Sequence, residues 1–136
     1  MRKLVIDRAA IKNNLTVIKD RAAGAAIYGV VTGDGQGVGA AALAQLLRDE
    51  GIGRFAVSEV SEAEALRQAG FVDEEILMLR ATTDREELER LVDLNAVCTI
   101  SSVDTGMALN ALAENRSTVV EAHIQIDTGM GFERLV

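Results

Sequence analysis

The sequence predicts an α/β protein built on about five parallel strands with intervening helices, and three observations lead there. Runs rich in apolar and β-branched residues recur at 26–32, 54–58, 75–79, 96–100 and 119–127, continuous rather than alternating, as strands buried on both faces should be. Helical periodicity fills every gap between them. The connections are only a few residues long, which fits βα units with right-handed crossovers.

Taken in order, the opening helix spans 7–24, where Ile11, Leu15 and Ile18 fall at i, i+4, i+7 between an Asp7 cap and Gly24. After the first strand, 38–50 carries Leu43, Leu46 and Leu47 and stops at Gly51. Ser61-Glu-Ala-Glu64 reads as a capping box opening a helix that ends at Gly70, and Thr83-Asp-Arg-Glu86 as a second box ahead of Leu88, Leu91 and Val92. The segment 102–114 supplies the last helix before the fifth strand.

With 136 residues and 49% apolar content, the chain is expected to be one domain, 1–136, with a single core. It has no proline and no low-complexity stretch that would separate two halves. A net charge of −7 without a basic cluster argues against nucleic acid and anionic lipid as partners. The apolar runs fall far short of the roughly 20 residues that span a bilayer, and no signal pattern opens the chain, so a cytoplasmic location is the expectation. One His, one Cys and scattered carboxylates give no metal-ligand spacing. Cys98, alone in an apolar run, reads as a small buried strand residue rather than a reactive thiol.

The most informative stretch is Ala25-Ala-Ile-Tyr-Gly-Val-Val-Thr-Gly-Asp-Gly-Gln-Gly-Val-Gly39, a strand running into a glycine-rich turn and then a helix. One reading of the glycines is a dinucleotide fingerprint, Gly35-x-Gly37-x-x-Ala40, with Glu59 at the end of the next strand as the ribose-binding acid of a Rossmann-like module. No lysine follows the glycines, so a Walker-type loop is excluded. At the far end, His123, Gln125 and Asp127 alternate and share one strand face. They form either a pocket with a titratable His123–Asp127 pair, or a hydrogen-bonded His123 inside the fold with Asp127 capping the turn at 128–131.

A second reading covers nearly the whole chain. The glycine-rich turn, Ala56-Val-Ser-Glu59 with Ser61-Glu-Ala-Glu-Ala-Leu-Arg67, and the closing His123-Ile-Gln-Ile-Asp-Thr-Gly-Met-Gly131 resemble the N-terminal barrel domain of the alanine racemase family of pyridoxal phosphate (PLP) enzymes. In that family a lysine at the end of the first barrel strand holds the cofactor covalently, and a later tyrosine serves the opposite face of the substrate. The resemblance places Thr32 at the lysine position and Gln36 at a tyrosine position near the cofactor. It places Gln125 where many members have a lysine, and Phe132 where an arginine is expected. All three lysines, Lys3, Lys12 and Lys19, precede the first barrel strand.

Strand spacings of 21 to 28 residues suit a barrel or a doubly wound sheet equally, and the resemblance implies the barrel. A full eight-stranded barrel takes about 250 residues. The expectation is therefore a partial TIM-type (β/α) barrel of a truncated, degenerate family member, without catalysis or bound cofactor. Thr32 and Gln36 would stand at substituted cofactor positions, and His123, Gln125, Asp127 and Phe132 would line the pocket. Two functional classes follow: a module whose vacant mouth takes a small-molecule ligand or a partner, or a fragment of a racemase that lacks its lysine. Self-association through the open strands at 26–32 or 119–127 is expected in either case.

Overall fold

The computed structural model describes residues 4–129. Five short strands run in the order β1 (Gly29–Val30), β2 (Arg54–Val57), β3 (Glu75–Met78), β4 (Cys98–Ile100) and β5 (Ala122–Ile124). β1, β2 and β3 pair in parallel, as do β4 and β5. The two groups are joined through Leu77 and Val97, where Met78 N–H donates to Val97 O at 2.9 Å and Val97 N–H to Ile76 O at 2.8 Å. The strands therefore lie side by side in chain order.

That order corrects the dinucleotide-binding alternative built on Gly35, Gly37, Ala40 and Glu59. A doubly wound sheet reverses its strand order at a switch point, and the ligand crevice forms there. Here no reversal occurs. The sheet is also curled. Tyr28 beside β1 and His123 in β5 would lie about 19 Å apart across four flat strand spacings, yet their ring centroids are 6.1 Å apart in an edge-on contact. Curvature of this kind belongs to a barrel wall.

Helices α1 (Arg8–Ala22), α3 (Ala40–Asp49), α4 (Val60–Gln68), α5 (Arg85–Asp93) and α6 (Val103–Asn115) cover the outer face. Each buries a stripe against the sheet: Leu15 in α1, Ala44 in α3, Ala63 and Leu66 in α4, Leu88 and Leu91 in α5, Leu109 and Leu112 in α6. They meet Phe55, Val57, Ile76, Met78 and Cys98, the alternate strand residues that point outward. The opposite face carries a smaller inner cluster of Ala56, Leu77 and Val97, flanked by Tyr28 and Leu79. Burial on both faces is why these strands read as continuous apolar runs.

Several local expectations shift. The first and fifth strands are two and three residues long rather than the spans 26–32 and 119–127, because each has a neighbour on one side only among the described residues. The box ahead of α4 sits two residues earlier than Ser61, with Glu59 at the cap and the Glu62 carboxylate reaching back to the Glu59 N–H at 3.1 Å. Before α5 the cap is Asp84, not Thr83, and accepts from Glu87 N–H at 2.9 Å. Asp7 caps α1 as expected, accepting from Ala9 and Ala10 N–H, and Cys98 is buried.

Candidate functional site at the carboxyl ends of the strands

The turn after β1 is the least ordinary backbone in the described chain. Gly33, Asp34, Gly35 and Gln36 all carry φ between 52° and 63°, so α2 (Thr32–Gln36) is one left-handed helical turn. Left-handed backbone costs an L-residue roughly 1–2 kcal/mol, which glycine escapes. Gly35 is required for a second reason: a Cβ there would meet the Ala40 backbone at 3.0–3.1 Å. The turn delivers the Asp34 carboxylate to the start of α3, where Oδ1 accepts from Ala40 N–H at 3.1 Å. A helix N-terminus behind a glycine turn is a natural anion site, and here the chain supplies the anion itself.

Glu62 is the organising residue of the mouth. From the first turn of α4 its Oε1 accepts from Gly33 N–H at 2.7 Å, and its Oε2 accepts from Ser58 N–H at 3.0 Å and Glu59 N–H at 3.1 Å. Thr32 Oγ1 donates to the same carboxylate, at 3.0 Å to Oε2. One side chain thus ties the end of β1 to the end of β2. Burial works to raise its pKa, but the backbone donors and the Thr32 hydroxyl outweigh it and hold the carboxyl below its ordinary range.

Arg80 extends the tie to β3. Its guanidinium pairs with Glu87 at 2.8 Å and Glu59 at 3.3 Å, and Nε reaches Ser58 O at 3.4 Å. After β4, Thr105 repeats the Glu62 device, its Oγ1 accepting from Ser101 and Ser102 N–H at 3.1 and 3.0 Å. Glu62, Arg80 and Thr105 were not singled out in the sequence. The available signal was an acid three residues into the helix after a strand, obscured because Ser61 offered a more familiar cap two positions away.

The expected site residues are only partly gathered. Thr32 is bonded to Glu62, and Gln36 Nε2 donates to Thr32 O at 3.3 Å while its side chain stays exposed. His123 is exposed and packs edge-on to Tyr28, so the hydrogen-bonded interior histidine is corrected: the strand is at the sheet edge and the ring finds an aromatic neighbour instead. Tyr28 in turn donates to Glu75, which also accepts from Arg54 at 3.2 Å. The Gln125 Oε1 is buried without a hydrogen-bond partner. Asp127 Oδ1 accepts from Gly129 N–H at 2.8 Å in a side-chain turn, while the rest of the 128–131 turn and Phe132 lie outside the described residues.

No lysine among the described residues lies at the carboxyl end of a strand. Lys12 and Lys19 are both on α1, and Lys19 donates to Glu50 O at the far end of α3. The donor set at the end of β1, a hydroxyl and a backbone N–H already bonded to a carboxylate, does not fit a covalently held pyridoxal phosphate. Among the described residues no group of three His, Cys, Asp or Glu side chains is arranged to hold a metal, and no helix is long and apolar enough to cross a membrane.

Comparison with known proteins places the chain. The profile of the alanine racemase N-terminal domain matches residues 6–135. The alanine racemase of Levilactobacillus brevis is 36% identical over 132 residues, covering 95% of this chain and 35% of that protein. Among solved structures, the alanine racemase of Clostridium difficile 630 superimposes with a TM-score of 0.78 at 31% identity, over 89% of this chain and 33% of that one. The fold is also that of the Bartonella henselae alanine racemase with covalently bound pyridoxal phosphate, with a TM-score of 0.83 at 24% identity over 93% of this chain and 35% of that one. The chain spans about a third of the length of the curated relatives it matches. Its curled sheet with strands in chain order, its glycine turn and these matches agree, and the chain belongs to the alanine racemase N-terminal domain family.

Proposed function

We propose that this chain is a non-catalytic member of its family, a barrel-wall module that keeps the architecture of the racemase N-terminal domain without covalent cofactor chemistry. The observation that carries this reading is at position 32. Covalent capture of an aldehyde cofactor needs an amine at a strand end, since a hydroxyl forms no imine. Thr32 has only a hydroxyl, and that hydroxyl is directed to the Glu62 carboxylate. Gln36, Gln125 and Phe132 stand at further positions that the family resemblance makes charged or acid–base, and all three are neutral.

In this reading Thr32, Gln36, His123, Gln125 and Asp127 stand at the carboxyl-end mouth, which takes a small-molecule ligand, and the protein works in the cytoplasm without nucleic acid or membrane. Self-association belongs to this reading, through the sides of β1 and β5 that have no strand neighbour among the described residues. Buried parallel strands do not leave backbone donors and acceptors to water without cost.

The test is to incubate the purified polypeptide with PLP, reduce with borohydride and map the adducts. Residues 25–136 hold no lysine, so the reading expects only weak, unsaturable modification of surface amines such as Lys12. Stoichiometric capture at one of Lys3, Lys12 or Lys19 that saturates at micromolar PLP and brings alanine racemisation with it would overturn the reading.

A further inference from the structure

We propose that the slot between the starts of β1 and β2, at the amino ends of the strands and opposite the mouth, binds a small oxyanion: the carboxylate or phosphate group of a soluble ligand. The two strands pair from Gly29 with Phe55 onward. Carried back, the same register sets Ile27 opposite Gly53, but the ladder has already opened there and neither residue belongs to a strand. A cleft of about 380 Å³ fills the gap, lined by Ile27 on one side, by Gly51, Gly53 and Arg54 on the other, and by Lys19 of α1. It lies between two neighbouring strands, so it does not depend on the side of β1 that has no neighbour among the described residues.

The opened ladder leaves backbone donors facing the cleft. Val31 N–H donates to Ala56 O at 3.0 Å, so Ala56 turns its backbone groups toward β1. Arg54, two residues earlier on the same strand, turns the same way. Its N–H nevertheless meets no acceptor on the β1 side, and the Ile27 N–H makes no backbone bond among the described residues. An N–H in a cleft without a protein partner is left to water or to a ligand.

Charge identifies the ligand. Lys19 Nζ donates to Glu50 O and stands 3.5 Å from where a Cβ on Gly51 would lie, with two of its three N–H donors left over. Arg54 spends Nε on Glu75 at 3.2 Å, and its two Nη atoms make no hydrogen bond among the described residues. Glu75 is in turn held by the Tyr28 hydroxyl as well as by Arg54. No carboxylate lines the cleft, although the chain carries 21 acidic against 14 basic residues. Unpaired backbone N–H groups beside cations make a concavity suited to an anion, and charge-assisted bonds to an oxyanion are the strong ones. The glycines keep the slot open: a Cβ at Gly53 would meet nothing within 4 Å.

Amide NMR of the 136-residue chain tests the assignment, with titration at constant ionic strength by sodium phosphate in one arm, sodium acetate in a second and sodium chloride in a third. The expected result is saturable shifts of the Ile27, Gly51, Gly53 and Arg54 amides with phosphate, acetate or both, and none with chloride. The arm that saturates names the group. Lys19→Met should weaken binding about tenfold, the loss of one charged hydrogen bond. Gly53→Asp should abolish it by setting a carboxylate in the slot, and because a Cβ there meets no neighbour, the rest of the spectrum should stay that of the parent. Absence of saturation with both oxyanions, or shifts centred on other residues, would overturn the site. So would binding indifferent to both substitutions, or equal shifts with chloride, which charge screening alone produces.

Discussion

Replacing Glu62 tests the architecture of the mouth at its most connected atom. Glu62→Ala removes a carboxylate that accepts from three backbone N–H groups and one hydroxyl. Hydrogen bonds to a charged acceptor contribute about 1.5–3 kcal/mol each when well shielded, and less where water can replace the acceptor. Gly33 and Glu59 are exposed and Ser58 is half-buried, so water recovers part of the loss. A total of about 3 kcal/mol follows, at the low end of about 1 kcal/mol for each backbone donor. For a domain of this size that lowers Tm by about 10 °C.

Glu62→Gln is the sharper variant. It keeps the shape, but its amide –NH2 must face backbone N–H groups, either of Gly33 or of Ser58 and Glu59, so it should cost at least about 2 kcal/mol. The carboxyl titrates below its ordinary value in the folded chain. Its contribution is therefore complete above the unfolded carboxyl pKa, 4.5, and fades as pH falls through the lower folded value. Urea denaturation of the parent and both variants at neutral and acid pH provides the assay. A Gln variant within about 0.5 kcal/mol of the parent at neutral pH would refute the claim that the carboxylate organises the mouth.

Three further outcomes follow from other parts of the structure. Gly35→Ala should destabilise by clearly more than Gly33→Ala: both meet the left-handed penalty of about 1–2 kcal/mol, but only the Cβ at 35 also collides with the Ala40 backbone. Equal costs in urea melts would show that the turn does not press against α3 as described. Burial pushes the Cys98 thiol up to about 11, so a disulfide reagent at pH 8 should label it only upon unfolding. Fast labelling of the native protein would contradict its packing. Calorimetry with NAD should give no binding isotherm, because the sheet has no switch point and Asp34 already caps α3. A one-site isotherm abolished by Glu59→Ala would reopen the dinucleotide reading.

The sequence made the alternation of strands and helices legible because helix stripes such as Leu88 and Leu91, and doubly buried runs such as 75–79, are local consequences of burial. It could not choose between barrel and doubly wound sheet on periodicity, since both repeat the same βα unit. Strand order and curvature decide, and those are long-range properties read from pairs such as Tyr28 and His123. The glycine turn was visible as composition, but its hand was not, because the non-glycine residues Asp34 and Gln36 also adopt positive φ in it. Thr32 and Gln36 were identified as the substituted positions from resemblance alone. The partner of Thr32, Glu62, lies thirty residues away on another element, and no local pattern reports a contact of that kind. The helix caps were misplaced by one or two residues for a related reason. Ser61 and Thr83 are good caps in isolation, but the register of the preceding strands fixes where each helix begins.

The most direct test of the central claim, that the family's fold here lacks the family's chemistry, is exchange of the alanine α-proton. L-alanine is incubated in deuterated water with PLP and the purified chain, and loss of the α-proton signal is followed by NMR. The account predicts a rate no greater than that of PLP alone, because position 32 offers no amine to hold the cofactor or accept the proton. Exchange well above that background, proportional to protein concentration and accompanied by appearance of the D-enantiomer, would contradict it.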